Sequence, residues 1–331
     1  MTQDTEQAPA ASLRAGLADD PAWPRVTRRG IQVALGLVWA LDGLLQFQPA
    51  MFTRKFATQV IAPAAAGQPV FVSGPVNEAA RIILHQPAVM DLAFGLFQLA
   101  LGVGILCPRS ARWALRASVA WALAVWYLGE GLGGLFSGAS LLTGAPGAAL
   151  LYAVLGLAVA PRSTGDPGTR RPAPWTAAAW AAFWLGGAVL QLLPGADTNA
   201  SISMSLAMNA SGAPAWFAAL DNRLSALVPY YGVSIVADLV VLQALVGIGV
   251  LAGVRTRLAA VILGIMLSLV YWVTGQDLGQ FWSGIATDPS TAPVAALLGV
   301  TVLGSPPWRP RFSLRTGRRS RRRTWRAPPG A

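Results

Sequence analysis

Long apolar stretches, broken by short segments rich in arginine, proline and glycine, dominate the chain. A helix crossing roughly 30 Å of hydrocarbon needs about 20 mostly apolar residues. On that measure the pattern predicts eight spans, near 31–49, 87–106, 113–130, 146–161, 176–194, 232–252, 258–275 and 292–304. The fourth and the last are short and lean on flanking glycine and proline. Backbone polar groups in lipid are satisfied only inside helices or closed barrels, so the expected fold is all-α, a polytopic membrane protein. Residues 1–30 read as a disordered tail, too long and too acidic (Asp4, Glu6, Asp19, Asp20) for a simple signal peptide. Residues 31–161 read as a first membrane unit, 162–175 as a linker, 176–304 as a second unit and 305–331 as an arginine-rich tail.

The two units look alike. Residues 35–106 align with 180–251 at a constant offset of 145, without a gap and with 14 identities in 72 positions. Trp39 meets Trp184, Gln46 meets Gln191, Pro49 meets Pro194 and Asn77 meets Asn222; Gln98, Gly102 and Gly104 meet Gln243, Gly247 and Gly249. One inserted residue later, Trp126, Gly129, Leu132, Gly133, Ser137 and Gly138 meet Trp272, Gly275, Leu278, Gly279, Ser283 and Gly284. The matches fall on rare residues, which chance does not arrange. Four spans per copy is an even number, so both copies enter the membrane the same way, and a pseudo-two-fold axis along the membrane normal should relate two tandem, parallel four-helix bundles. The long connections 50–86 and 195–231 should fold as short helical or re-entrant caps.

Composition agrees with a membrane class. The chain is 54% hydrophobic and 12% charged, against about 25% charged in soluble domains. Twenty-four arginines and one lysine face 14 acids, a net charge of +11. If eight spans alternate, 21 of these cations fall on one side, and only Arg54, Lys55, Arg81 and Arg223 on the other. By the positive-inside rule both termini are cytoplasmic and the protein belongs in the cell membrane. The nine arginines from Arg309 to Arg326 suit anionic headgroups at the membrane surface; nucleic acid is not the expected partner. A single histidine (His85) and a single cysteine (Cys107) exclude an intrachain disulfide, a zinc site with several Cys or His ligands and a bis-His haem. No metal site and no free-standing catalytic motif is expected.

The stretch Phe97-Gln98-Leu99-Ala100-Leu101-Gly102-Val103-Gly104-Ile105-Leu106, followed by a short arginine turn and a further span, resembles the DoxX/DoxD-like membrane proteins. The second copy, Gln243 to Leu251 followed by Gly253-Val254-Arg255-Thr256-Arg257, is similar again. Members of that family are single four-helix bundles, so the resemblance implies two fused units. It further implies a redox setting: a membrane subunit such as that of a thiosulfate:quinone oxidoreductase, an oxidoreductase as protein partner, and a quinone as cofactor, although no cofactor motif is evident. Maturation or chaperone-like relatives are also part of the family. One departure stands out. The family often carries glutamate where this chain has Gln98 and Gln243.

Ionisable and amide groups inside spans are expensive in lipid and mark functional candidates. Asp42 lies in span one with Gln46 one turn further on the same face; Asp91 opens span two; Gln98 and Gln243 are central; Gln191 repeats Gln46; and Asp238 lies in span six. Glu130 ends span three and Gln276 follows span seven. Nearly all fall in the outer half of the membrane, and no arginine or lysine lies in a span core. That pattern predicts an outward-opening polar pocket, less acidic in the second copy, where Gly187 stands opposite Asp42 and Gln276 opposite Glu130. Gln98 and Gln243 serve either such a pocket or interhelical hydrogen bonds. Trp126 and Trp272 belong either to an interfacial belt or to a stacking surface for a ring-bearing ligand. Three functional readings stay open: a membrane partner of a redox system, a small-solute permease, and a non-catalytic assembly scaffold.

Overall fold

The computed structural model describes residues 26–161, 171–193, 197–231 and 235–306, and among them every regular element is helical. The first half contains α1 (Arg28–Leu45), α2 (Val70–His85), α3 (Pro87–Leu106), α4 (Ala111–Leu128) and α5 (Ala148–Val159). The second contains α6 (Thr176–Leu190), α7 (Asn199–Ala210), α8 (Ala215–Leu227), α9 (Ile235–Gly249), α10 (Val254–Thr274) and α11 (Thr291–Gly304). Proline sets the start of α3: Pro87 occupies its first turn, and Gln86 before it stands outside the helical region at φ −146°, ψ 67°, since proline disfavours the α conformation in the residue before it. The expected tail 1–30, linker 162–175 and tail 305–331 lie outside the described residues over 1–25, 162–170 and 307–331.

Two helices, α3 and α10, are long and apolar enough to cross a membrane. A third joins them if Ala215–Tyr230 and Ile235–Gly249, bent by 100°, form one broken span. The other expected spans coincide with shorter or more charged helices. Helices α5, α6 and α11 are apolar but only 12, 15 and 14 residues long, roughly 18–22 Å at 1.5 Å per residue. Helix α1 carries Arg28, Arg29 and Asp42, and α4 carries Arg112 and Arg116.

Packing places α5 and α11 at the centre. They touch each other, α4 closes on α5, and α10 closes on α11. Nine of the 12 residues of α5 are buried, which is why it shows no polar face to the eye: a helix surrounded by protein is apolar all round. Helices α1 and α3 form the most extensive pair, and α6 and α9 pair in the second half. The α1–α3 contact is made by Gly36, Gly43, Gly95 and Gly102, which bring the two backbones into direct contact. One end of the molecule is stitched by side chains that satisfy helix C-terminal carbonyls. Arg29 donates to the carbonyls of Ile105 and Leu106, Gln32 to that of Val159 (2.8 Å), and Arg257 to that of Val302 (2.5 Å). At the other end the 50–86 connection folds as Phe56–Ile61, Ala62–Ala65 and α2, burying its own apolar cluster around Met51, Phe56, Val72 and Val76.

Candidate functional site

At this second end, beneath the 56–65 turns and α2, a cavity of about 530 Å³ opens between α1, α3, α4 and α5. Its walls are aromatic. Trp39 meets Tyr152 edge-on at 4.7 Å, and Trp121 packs against Phe94 at 5.3 Å, with Phe56 on Phe94. Into this apolar space project Asp42, Gln46 and Gln98, joined by Glu130 and by Thr287 and Asp288 from the far half of the chain. Asp42, Gln46, Gln98, Trp39 and Tyr152 are all less than a tenth exposed. Asp42 Oδ1, Gln46 Oε1, Gln98 Oε1 and the indole N–H groups of Trp39 and Trp121 nevertheless have no hydrogen-bond partner, while the Tyr152 hydroxyl lies against the Asp42 carboxyl. Buried polar groups are ordinarily paired, so five unpartnered atoms around one space mark a cavity able to take up a polar occupant.

The acids around it are held differently. Asp288 accepts from the Thr287 hydroxyl (2.8 Å) and from the Ser290 N–H (2.7 Å); burial pushes its carboxyl up and those two donors draw it back. Glu130, at the cavity wall, accepts the Ala149 N–H at 3.0 and 3.3 Å, capping the first turn of α5. Gln276 makes the same contact one half later, accepting the Ala292 N–H of α11 at 2.8 Å. A more polar concavity of about 520 Å³, at the junction of the halves, shares Glu130, Thr287 and Asp288 with the first.

The sequence-derived candidates therefore separate. Asp42, Gln46, Gln98 and Glu130 meet in the cavity. Asp91 is fully buried on α3 with both carboxyl oxygens unpaired, but it does not line that space. Trp126 does not line the cavity; its indole donates to the Pro146 carbonyl at 2.7 Å and ties α4 to the start of α5. In the second half Gln243 donates to the Tyr271 hydroxyl (2.9 Å), Gln191 is buried without a partner, and Trp272 is half-buried. Asp238 is exposed in the first turn of α9. It stands five residues before Gln243, roughly 140° around the helix, which explains why the two do not share a face. Residues the sequence reading missed are Trp121, Tyr152 and Asp288, and Trp39 entered it only as a repeat match. Among the described residues no group of His, Cys, Asp or Glu could hold a metal ion.

A second acidic pair lies away from the cavity. Asp277 and Asp221 are 3% and 1% exposed. Burial, then the neighbouring Asp221 carboxylate, pushes Asp277 up to about 6, from about 3.9 in an unfolded chain. A carboxyl raised on folding contributes stability that is fully present below about pH 4 and is lost as pH rises through about 6. We expect Asp277→Asn to raise the unfolding midpoint at pH 7 by a few degrees and to flatten its pH dependence between pH 4 and 7. Thermal melts across that range check this, and an unaltered slope refutes it.

Compared with known protein families, characterised proteins and solved structures, the chain matches none.

Proposed function

We propose that this chain is an eight-span protein of the cell membrane, two tandem DoxX-like four-helix repeats with both termini inside, and that it is the ligand-binding membrane partner of a redox system. The cavity carries this reading: an apolar space in the first repeat, with five aromatic residues in its walls, in which five buried polar atoms lack partners. The repeat is supported by equivalent details. Glu130 and Gln276 cap α5 and α11 alike. Leu132 and Leu278 both take left-handed φ (56° and 49°) beside Gly133 and Gly279. The arginines beyond 307, outside the described residues, would meet anionic headgroups and keep that end inside.

A quinone head is served by the Trp39, Trp121 and Tyr152 donors but poorly by three carboxyls, so bound quinone and a partner-mediated redox link need separate tests. Purification from the native membrane in mild detergent, with mass spectrometry of co-eluting proteins and extraction of lipophilic cofactors, decides. A stoichiometric oxidoreductase subunit is the expected result. A protein that elutes alone, with no quinone, overturns the redox reading. It leaves a small-solute permease, the second reading, which the carboxyls without any lysine, arginine or histidine among the cavity residues favour.

A further inference from the structure

The two halves exchange loops. At the offset of 146, Leu141 and Leu142 correspond to Thr287 and Asp288, and each pair is inserted into the opposite half. A Cβ on Gly187, the counterpart of Asp42, would lie 2.2 Å from Leu141 Cδ1. A Cβ on Gly275, the counterpart of Gly129, would lie 2.2 Å from the Leu142 carbonyl oxygen. Gln276 fastens this plug by donating to the Leu141 carbonyl (3.1 Å), and Thr291 donates to that of Gly144 (2.6 Å). In the other direction Gln48 donates to the Ala286 carbonyl (2.8 Å), and Thr287 and Asp288 reach the cavity that holds Asp42 and Gly129. The second half's pocket is thus filled by leucine. The first half's is left open and receives a further acid.

We infer that the first-half cavity, completed by Thr287 and Asp288 from the second half, is a binding site for one organic ammonium group carried on an apolar body. Asp42 is 3% exposed with Oδ1 unpaired, Glu130 and Asp288 share its cavity, and none of the lining residues is cationic. A carboxyl isolated in an apolar space stays protonated, and an ammonium group placed beside it is what would let it ionise there. A bare metal ion is the wrong occupant, since no group of acids among the described residues could hold one. The remaining walls combine five aromatic residues, Trp39, Trp121, Tyr152, Phe56 and Phe94, with aliphatic side chains from α2, α3 and α4. Aromatic rings around carboxyls are the environment that retains alkylated ammonium groups, while a neutral solute of the same shape would leave the acids uncompensated. Exchange of the loops then gives one such site per chain. The inference rests on reading the cavity as a ligand site, and it holds whether the protein serves a redox partner or carries a solute.

The test uses the full-length protein in nanodiscs, titrated calorimetrically with benzyltrimethylammonium, its uncharged carbon isostere neopentylbenzene, and decylubiquinone. Saturable binding of the ammonium at one per chain is expected, at least tenfold tighter than the isostere. Asp42→Asn and Asp288→Asn should each weaken it tenfold or more. Should Asp42→Asn fail to fold, Asp288→Asn, which keeps an acceptor for the Ser290 N–H, decides alone. Nanodiscs with and without phosphatidylethanolamine separate the sources: competition by that lipid makes the ammonium a headgroup, and its absence makes it a free amine. Equal affinity for the isostere, or unaltered binding in Asp288→Asn, overturns the proposal. Decylubiquinone binding without ammonium binding also overturns it but leaves the redox reading standing; no binding by any probe removes the ligand site itself.

Discussion

Gly102→Ala is expected to cost more stability than any other single methyl added to the helix interfaces. The added carbon would lie 2.7 Å from the Ala40 nitrogen, 2.8 Å from the Gly36 carbonyl oxygen and 3.0 Å from the Ala40 Cα. All three are backbone atoms, so no side chain can swing aside, and α1 must move off α3. Overpacking of this kind typically costs 1–3 kcal/mol, occasionally more, out of a net stability of about 5–15 kcal/mol. Gly247→Ala, at the matching place between α6 and α9, should cost less, because its nearest obstacle is the movable Leu185 side chain at 2.6 Å. Gly186→Ala meets nothing within 4 Å and should be neutral or slightly stabilising through helix propensity. Thermal unfolding midpoints of the three variants in one detergent must fall in that order. A Gly102→Ala protein as stable as Gly186→Ala contradicts the packing argument.

Glu130→Ala is the second large effect. It strips the cap from α5 and leaves the Ala149 N–H without its acceptor at 3.0 Å. Losing a helix cap costs about 0.5–2 kcal/mol, and an orphaned buried donor costs about 1–3 kcal/mol. Glu130→Gln should keep nearly all of the stability, because Gln276 performs the same task with an amide oxygen. Gly147 makes the contact feasible: at φ +100° any Cβ there would lie 2.1 Å from Glu130 Oε2. Equilibrium unfolding of the alanine and glutamine variants separates a capping role from one in binding. Equal losses in the two would show that charge, not the hydrogen bond, is what the position needs.

How much of this was readable in advance depends on the range of each interaction. Helix Pro87–Leu106 was legible to the residue, because proline opens it, a cysteine–proline–arginine turn closes it and 20 mostly apolar residues lie between. Asp42 and Gln46 were legible as pocket candidates because a polar side chain in an apolar run has few places to go; for Gln98 the sequence left the pocket and an interhelical hydrogen bond as equals, and the structure lines the cavity with it. Asp238 met the same rule, yet its helix face turns outward, which composition does not register. The last span, 292–304, matches α11 to within one residue, whereas 146–161 overran α5 at both ends, its start being set by the cap from Glu130 after a proline and a glycine. Trp126 could have been a belt, a stack or a donor; only the position of the Pro146 carbonyl decides. Asp288 and Leu141 lay beyond reach, since the residues they meet belong to the opposite half of the chain and nothing local distinguishes a loop that folds on its own bundle from one that folds on its neighbour.

That crossing of loops also puts a clock on biosynthesis. Ribosomes add about 5–20 residues per second, so on the order of ten seconds separates the emergence of Val159, which completes the first set of helices, from that of Thr287 and Asp288. Throughout that interval the nascent protein holds an unfinished chamber, and Leu141 waits for helices not yet made. A message truncated after the first half yields neither a working miniature nor a harmless one, but a chain with exposed leucines fit for proteolysis. Each half of the described structure thus supplies a loop that the other needs, and neither closes its own interior alone.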